Sequence, residues 1–313
     1  MPNNKIVVVC GPTASGKTAL GVALAKALNG EVVSADSMQI YRGMDIGTAK
    51  PTAGEMEGIP HHMIDVADPG EDYSVARYVE EASACVDQIL SLGKTPILVG
   101  GTGLYIDSLI LGRKFAPFPG KIRAELTKKL QNEGISALYE TLRTVDPDRA
   151  ARLHQNDEKR ILRALEVYYE TGRTLTQHDR ESQAQPPRYD AATIFLNYAD
   201  RADLWKRIDR RVDEMVEAGL VDEVKRLLHS GVSPRTTAMQ AIGYKEFSAA
   251  LRGEEPIENA LGQVKLRSRQ YAKRQVTWFR RNESAFRYEW KNLPDCADAL
   301  QASTAFVRAH GIG

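Results

Sequence analysis

The alternation of apolar and amphipathic segments in the N-terminal third of the chain predicts strands and helices in turn. Apolar, largely β-branched runs at residues 6–10, 31–35 and 95–99 predict buried strands, because central strands of a parallel sheet are covered on both faces. Segments 19–28 and 73–92 have helical periodicity, and a glycine closely follows each of them. This order predicts an α/β fold with a parallel sheet flanked by helices.

The pattern changes near residues 115–119. From 121 to 172 the chain predicts amphipathic helices, with breaks at Gly134 and at Asp146 and Pro147. The polar stretch 174–188 predicts a linker, residues 191–196 predict one more core strand, and the chain from 201 onward predicts helices. We therefore expect a catalytic core formed by residues 1–116 and 189–313, with an all-helical insertion domain at 117–188.

Composition and charge narrow the class of protein. Hydrophobic residues make up 42% of the chain and charged residues 27%, which suits a folded core. No apolar run approaches the roughly 20 residues of a membrane span, and the first residues do not form a secretory signal. Cys10, Cys85 and Cys296 are widely spaced and odd in number, which favours reduced thiols. We expect a cytoplasmic protein without membrane association, monomeric by default and with no obligate protein partner.

A phosphate-binding loop follows the first predicted strand. The octet at 11–18 matches the pattern G-x-x-x-x-G-K-[ST] between a strand and a helix, which predicts a P-loop NTPase-like core. Backbone N–H groups and a helix N-terminus attract an anion, the lysine adds a full charge, and the threonine hydroxyl can reach Mg²⁺. The predicted diphosphate- or nucleotide-binding residues are Gly11, Pro12, Thr13, Ala14, Ser15, Gly16, Lys17 and Thr18.

Two further loops should reach the same edge of the sheet, because ligands bind beyond the carboxyl ends of parallel strands. The second strand leads into Asp36, and the third leads into the glycine-rich segment 100–103. Asp36 could be a helix cap or a functional carboxylate. ATP-hydrolysing relatives of this fold hold Mg²⁺ with an acid at a strand end, whereas strand 95–99 ends in glycine. Either Asp36 serves the metal or the chemistry is not phosphoryl transfer.

The net charge of +1 conceals a basic segment near the C-terminus. Residues 265–281 contain seven Lys or Arg and no Asp or Glu, interleaved with Tyr271, Trp278 and Phe279. This composition is typical of proteins that bind single-stranded RNA. It is also compatible with a packed helix that has an aromatic buried stripe and a solvated basic face.

An ordered set of motifs resembles the tRNA dimethylallyltransferase (tRNA isopentenyltransferase) family over nearly the whole chain. The motifs are GPTASGKT at 11–18, ADSMQIY at 35–41, DIGTAK at 45–50, PHHM at 60–63, GGTGLY at 100–105, ND at 156–157, RALE at 163–166, AIGY at 241–244 and AKRQVTW at 272–278. The resemblance implies transfer of a dimethylallyl group from dimethylallyl diphosphate to N6 of the adenosine on the 3′ side of the tRNA anticodon.

Family membership would also imply roles for individual residues. Lys17, the loop amides and Mg²⁺ on Thr18 would stabilise the departing diphosphate, together with Thr13 and Ser15. Arg211 would add a second cation, although its helix carries balanced charges and could simply be solvated. Asp36 would accept or orient the proton of the adenine amine.

RNA recognition requires the target base to leave its stack and enter a channel. We expect the channel to be lined by Asp36, Ser37, Met38, Gln39 and Thr102. Gln39 is suited to an adenine edge, whereas simple packing is the favoured explanation for Met38. The resemblance places further contacts with the tRNA anticodon stem-loop on the insertion and on a segment near residues 240–245. These residues are Arg123, Lys159, Arg160, Ile161, Leu162, Arg163, Gln240, Ala241, Ile242, Gly243, Tyr244 and Lys245.

Three other interpretations remain open from the sequence. The first is a small-molecule kinase on the same scaffold, and the second is an enzyme that prenylates free adenine nucleotides. The third is a non-enzymatic RNA-binding protein derived from a P-loop ancestor. His61 and His62 are assigned to packing and hydrogen bonding, because neighbouring side chains on an extended segment point to opposite sides and make a poor metal pair.

Overall fold

A computed structural model describes residues 4–115, 121–291 and 295–313 of the chain. The change of pattern at 115–119 therefore falls largely outside the described residues. Six strands form one sheet in the order β3-β2-β4-β1-β5-β6, and every neighbouring pair is parallel. The strands are β1 (Lys5–Cys10), β2 (Gly30–Ser34), β3 (His61–His62), β4 (Thr95–Gly100), β5 (Asp190–Tyr198) and β6 (Phe286–Trp290). The predicted parallel α/β fold is confirmed.

Helices account for most of the remaining described chain. They are α1 (Lys17–Ala27), α2 (Ala53–Met56), α3 (Val75–Ser91), α4 (Gly103–Leu111), α5 (Lys121–Val145), α6 (Pro147–Ala150), α7 (Glu158–Thr171), α8 (Leu175–Ala184), α9 (Arg201–Glu217), α10 (Leu220–His229), α11 (Tyr244–Leu251), α12 (Ile257–Phe279) and α13 (Cys296–Ala309). A short 3₁₀ turn lies at Ala238–Gln240.

The chain divides into two compact units, residues 1–110 with 188–313, and residues 111–187. The core of the first unit is built on the sheet, where Val7, Val9, Ile97 and Ile194 are fully buried. Because helices cover these strands, an apolar side chain is favoured at nearly every strand position.

The second unit is helical. Leu138, Leu142, Ile161 and Leu165 form its fully buried centre. The helical path breaks at Gly134 (φ 77°), as the sequence predicts. Residues predicted as insertion, 117–188, fall almost entirely in this unit, and their contact with RNA stays a prediction.

Two predictions of secondary structure were wrong. The stretch 174–188 is not simply a linker, because it contains α8, which begins after a reciprocal capping box between Thr174 and Gln177. The region after residue 201 is not wholly helical, because β6 pairs with β5 and extends the sheet at its edge. Its five residues lie on a strand that is only partly buried, so no long apolar run marks them.

Close approach of backbone explains one glycine at the end of β4. A Cβ on Gly100 would lie 2.2 Å from the carbonyl oxygen of Ala35. The contact lies where β2 and β4 end side by side, because Ala35 N–H donates a hydrogen bond to Val99 O at 2.8 Å. Only glycine lets the two strands deliver their loops to one place.

We expect Gly100→Ala to lower the free energy of unfolding by about 1–3 kcal/mol, the usual cost of overpacking. Gly262→Ala on α12 is the control, because no atom lies near its added Cβ and alanine favours a helix. Urea unfolding measures both variants. Equal stability of Gly100→Ala and the unmodified chain would contradict the close-approach argument.

Candidate active site

The phosphate loop occupies residues 11–18 between β1 and α1. Gly16 caps α1 with φ 81°, and Ala14 also has a positive φ of 63°. The first turn of α1 contains no acidic residue, so its N-terminus keeps its partial positive charge. The loop therefore has the geometry of an anion-binding site.

Side chains from far along the chain hold this loop. Thr13 N–H donates to Gln275 Oε1 at 2.8 Å, and Gln275 Nε2 donates to Gly101 O at 2.9 Å. Through these two bonds, the buried Gln275 side chain connects the phosphate loop to the loop after β4. Trp290 Nε1 donates to Ser15 O at 2.9 Å.

The carbonyl of Ala14 receives two more donors. Tyr198 Oη lies 3.3 Å from it, and Arg207 Nε lies 3.2 Å from it. These contacts orient the loop carbonyls towards the protein, so that the amide side of the loop can face an anion.

Two cations line the pocket beside the loop. Burial, and next the nearby Arg211 guanidinium, lower the pKa of Lys17 to about 8. Burial, and next Arg207, lower the pKa of Arg211. Across the three described ranges, no ion pair joins Lys17 or Arg211 to a carboxylate. Lys17 Nζ donates instead to Pro12 O at 2.6 Å. The site therefore holds positive charge that an anion would stabilise.

Asp36 lies in the same pocket, at the end of β2. Its Oδ1 accepts from Met38 N–H at 2.9 Å and Gln39 N–H at 3.4 Å. This oxygen fixes the turn, which matches the capping role considered from the sequence. The carboxylate also raises the pKa of Lys17, so it lies within electrostatic reach of the ammonium.

The loops after β2 and β4 are joined by Thr102. Its Oγ1 accepts from Ser37 N–H at 3.0 Å, and its own N–H donates to Ala35 O at 3.1 Å. Gln39 is held more firmly than the sequence suggested, since Nε2 donates to Thr48 O and Ala49 O and Oε1 accepts from Ser34 Oγ. Its amide would have to exchange these partners before it could contact an adenine edge.

A cavity of about 370 Å³ collects most of the predicted site within the first unit. Its lining includes the predicted residues Thr13, Ala14, Lys17, Thr18, Asp36, Ser37, Met38, Gln39, Arg211, Gln240, Ala241, Ile242 and Gly243. The predicted residues of the first unit that do not line it are Gly11, Pro12, Ser15, Gly16, Thr102, Tyr244 and Lys245.

Two of these have specific reasons for their position. Ser15 is fully buried and its hydroxyl has no hydrogen-bond partner among the described residues, so its side chain does not face the cavity. Tyr244 is also fully buried, and its hydroxyl donates to Glu223 Oε1 at 2.5 Å.

Helix α12 supplies lining residues that the sequence analysis did not assign to this cavity, among them Tyr271, Arg274 and Gln275. Burial, and next the charge of Asp36, raise the pKa of Tyr271 to about 12. Arg274 lies over the Tyr271 ring, 5.6 Å from its centroid. The sequence did contain one sign of this role, since the polar Gln275 lies between Ala272 and Phe279 on the buried face of the helix.

The basic segment 265–281 is less free than its composition suggested. Lys265, Arg267 and Arg269 form ion pairs with Asp213, Glu246 and Asp209 respectively. Phe279 is buried, and Trp278 Nε1 donates to Asp107. Three of the seven cationic side chains thus form ion pairs with other helices, and a fourth, Arg274, lines the cavity.

Glu223 is a second residue that the sequence did not reveal. Its buried carboxylate accepts from the N–H groups of Asp45, Ile46 and Gly47 at 2.9–3.2 Å, in addition to the Tyr244 hydroxyl. Gly47 lines the cavity, so Glu223 on α10 fixes one part of the cavity wall.

His61 and His62 make hydrogen bonds within the protein. His61 Nδ1 pairs with Ile59 O at 2.8 Å, and His62 Nε2 pairs with Glu31 at 2.7 Å, in the hydrogen-bonding role expected for them. In the ranges that the structure describes, no group of three or more His, Cys, Asp or Glu could hold a metal ion. The three cysteines are free.

The helical unit contains the other predicted RNA contacts. Lys159 and Arg160 are exposed, and Arg160 pairs with Asp157 at 2.9 Å. Ile161 and Leu162 are packed in the core, so any RNA contact at these positions would not use their side chains. Arg123 and Arg163 both approach Glu166.

Comparison with known proteins shows the family to which the chain belongs. A family model described as IPP transferase matches residues 39–282, and one described as isopentenyl transferase matches residues 4–68. The tRNA dimethylallyltransferase of Caldanaerobacter subterraneus subsp. tengcongensis is 50% identical over 279 residues, covering 88% of this chain and 89% of that protein. The chain therefore belongs to the IPP transferase family, which confirms the resemblance seen in its motifs.

Solved structures extend the comparison to the fold. A tRNA isopentenylpyrophosphate transferase from Bacillus halodurans is 40% identical with a TM-score of 0.72, covering 99% of this chain and 98% of that one. A eukaryotic dimethylallyltransferase acting on tRNA is 32% identical with a TM-score of 0.83, covering 98% of this chain and 80% of that one. None of the helices within the described ranges has the length and apolar character needed to cross a membrane.

We expect Gln275→Met to weaken dimethylallyl diphosphate binding, because it leaves Thr13 N–H and Gly101 O without their partner and releases the loop. Stability should fall by about 1–3 kcal/mol, the cost of unpaired buried groups. Titration calorimetry and urea unfolding measure the two effects. Gln263→Met, at an exposed position of α12, should change neither. Unchanged affinity in the Gln275 variant would contradict its role in holding the loop.

Proposed function

We propose that the protein transfers the dimethylallyl group of dimethylallyl diphosphate to N6 of the adenosine at tRNA position 37, next to the anticodon, and releases diphosphate. The observation that carries this proposal is the presence of Asp36 in one cavity with Lys17 and the phosphate loop. A cationic cradle suits a diphosphate, and a carboxylate beside it suits an amine that must lose a proton. The related proteins named above act on tRNA by their descriptions, which supports the choice of acceptor.

The cavity has two chemical characters that match the donor substrate. Lys17, Arg211 and the amides of the loop provide positive charge for the diphosphate. The remaining wall includes apolar side chains suited to a five-carbon chain, contributed by Ile208, Val212, Met215, Leu220 and Val264. We infer that the diphosphate lies on the loop and the allylic group on this wall.

Charge separation determines the mechanism. As the allylic C–O bond breaks, its electron pair leaves with the diphosphate, and Lys17 and Arg211 stabilise the added negative charge. The adenine N6 forms the new C–N bond to the allylic carbon, and its proton passes to Asp36. Phosphorus is never attacked in this reaction. The acidic residue that holds Mg²⁺ at a strand end in ATP-hydrolysing proteins is therefore not needed at the end of β4, where Gly100 lies.

Mg²⁺ is the cofactor we propose. Thr18 lines the cavity beside Lys17, which suits an ion that takes few protein ligands and relies on phosphate oxygens and water. The absence of a carboxylate cluster among the described residues is compatible with that coordination. When bound, the ion would neutralise charge on the leaving diphosphate. The lining residues that the structure describes come from one unit of one chain, which supports a monomer, and a tRNA substrate supports a cytoplasmic location.

The direct test combines the protein, Mg²⁺, labelled dimethylallyl diphosphate and unmodified tRNA. Label should enter the RNA only when all four are present, and not when the target adenosine is replaced by guanosine. Transfer to free adenine nucleotides instead would favour that rival acceptor. Absence of transfer with intact tRNA binding would favour a non-enzymatic RNA-binding protein.

In the same assay, Asp36→Asn should reduce turnover by about 10²–10⁴-fold, the usual contribution of a general base. Asparagine still has an oxygen that can accept from Met38 and Gln39, so the turn and tRNA affinity should persist. Single-turnover rates and a tRNA binding isotherm separate the two effects. Near-normal turnover would remove Asp36 from its proposed role.

The lowered pKa of Lys17 predicts a pH dependence of donor binding. Below about pH 8 the ammonium is charged and attracts the diphosphate. Above that pH the free enzyme loses the proton, so the Kd should rise by about tenfold per pH unit. Calorimetry from pH 7 to 9.5 at fixed free Mg²⁺ measures this. Lys17→Arg keeps its charge over this range and should bind with little pH dependence. A wild-type Kd that is flat with pH would refute the assignment.

A further inference from the structure

A buried carboxylate lies in the helical unit, remote in sequence from the residues of the cavity. Glu166, on α7, has no exposed surface, and its neighbours on that helix, Leu162 and Leu165, pack in the core. The proposed transfer mechanism does not use it.

Two arginines from different helices meet at one oxygen of this carboxylate. Arg163 Nη1 lies 3.1 Å from Glu166 Oε2, and Arg123 Nη1, on α5, lies 3.5 Å from the same atom. The side chains of Arg123 and Arg163 remain 40% and 30% exposed. Glu166 Oε1 has no hydrogen-bond partner in the described part of the chain. The carboxylate is thus hidden, whereas the two guanidinium groups reach the surface.

Stability alone does not explain this arrangement. Desolvation of a buried carboxylate costs about as much as its ion pairs return, so a packed apolar side chain would serve the core equally well. Two guanidinium groups so close together repel each other, and the shared carboxylate offsets that repulsion. The negative charge of Glu166 is therefore best explained by its effect on Arg123 and Arg163, whose guanidinium groups it holds close together.

We propose that Glu166 is a positioning residue that holds Arg123 and Arg163 together as a preassembled site for one phosphodiester group of the RNA backbone. Each guanidinium has five N–H donors in a planar fork, and Glu166 Oε2 lies near one nitrogen of each arginine. A phosphate has two non-bridging oxygens that match two such forks. This inference rests on the proposed function, because it takes RNA as the ligand.

The variant Glu166→Gln distinguishes positioning from simple electrostatics, because the two explanations predict opposite changes in tRNA affinity. Removal of a negative charge would by itself strengthen RNA binding. Loss of positioning should instead weaken tRNA binding, by about tenfold, and should lower the log–log salt slope by about 0.7–0.9 as one phosphate contact is lost. Affinity for dimethylallyl diphosphate should not change.

Glu140→Gln is the matched control, since Glu140 pairs with Arg143 in the same unit at an exposed site. It should leave tRNA affinity and the salt slope as in the unmodified protein. Thermal unfolding of both variants shows whether the unit stays folded.

If Glu166→Gln does not fold, Arg163→Lys provides the test, because it keeps the charge but loses the planar fork. It should lower tRNA affinity with little change in the salt slope, because lysine still neutralises the phosphate. RNA binding that is unchanged or tighter in the folded Glu166→Gln variant, or unchanged in Arg163→Lys, overturns the inference. A wild-type protein that neither binds tRNA nor transfers label refutes the proposed function itself, which is a different result.

Discussion

The unneutralised charge of Lys17 and Arg211 is the constraint on which the site depends. Both cations lose hydration in the cavity wall, they repel each other, and no described carboxylate forms an ion pair with either of them. This arrangement disfavours the empty cavity and favours one that contains an anion. Asp36 lies near enough to raise the pKa of Lys17 without forming an ion pair with it. In the proposed mechanism this leaves the carboxylate available for a proton from the acceptor, which a direct contact with the lysine would hinder.

The protein keeps this charged surface in place by committing most other polar groups to structure. Gln39, Thr102 and Glu223 are engaged with backbone atoms of the loops around the cavity. Lys265 and Arg269 on α12 are paired with acids on α9. A sequence with abundant charge thus presents only a few groups to the substrates, and each is supported by neighbours that have fixed partners.

Local pattern accounts for the parts of this site that were predicted. The strands before residues 11, 36 and 100 were evident from apolar runs, and parallel topology places their ends at one edge. The contribution of Gln275 and Arg274 was not predictable in the same way, because it depends on how α12 packs against loops more than 170 residues earlier. Helix α8 was missed because a capping box was the main sign of its start in a polar segment. Strand β6 was missed because its five residues alternate between aromatic and charged side chains and form no apolar run like those of the central strands.

The phosphate loop, although it lies near the start of the chain, is completed by residues near the other end. Its backbone is held by Tyr198, Arg207, Gln275 and Trp290, which are 184 to 275 positions later. During translation, a nascent chain that has exposed only its first half has the loop sequence but none of these four contacts. The anion cradle therefore reaches its final shape only after the ribosome has released residue 290, and truncated translation products lack a complete site.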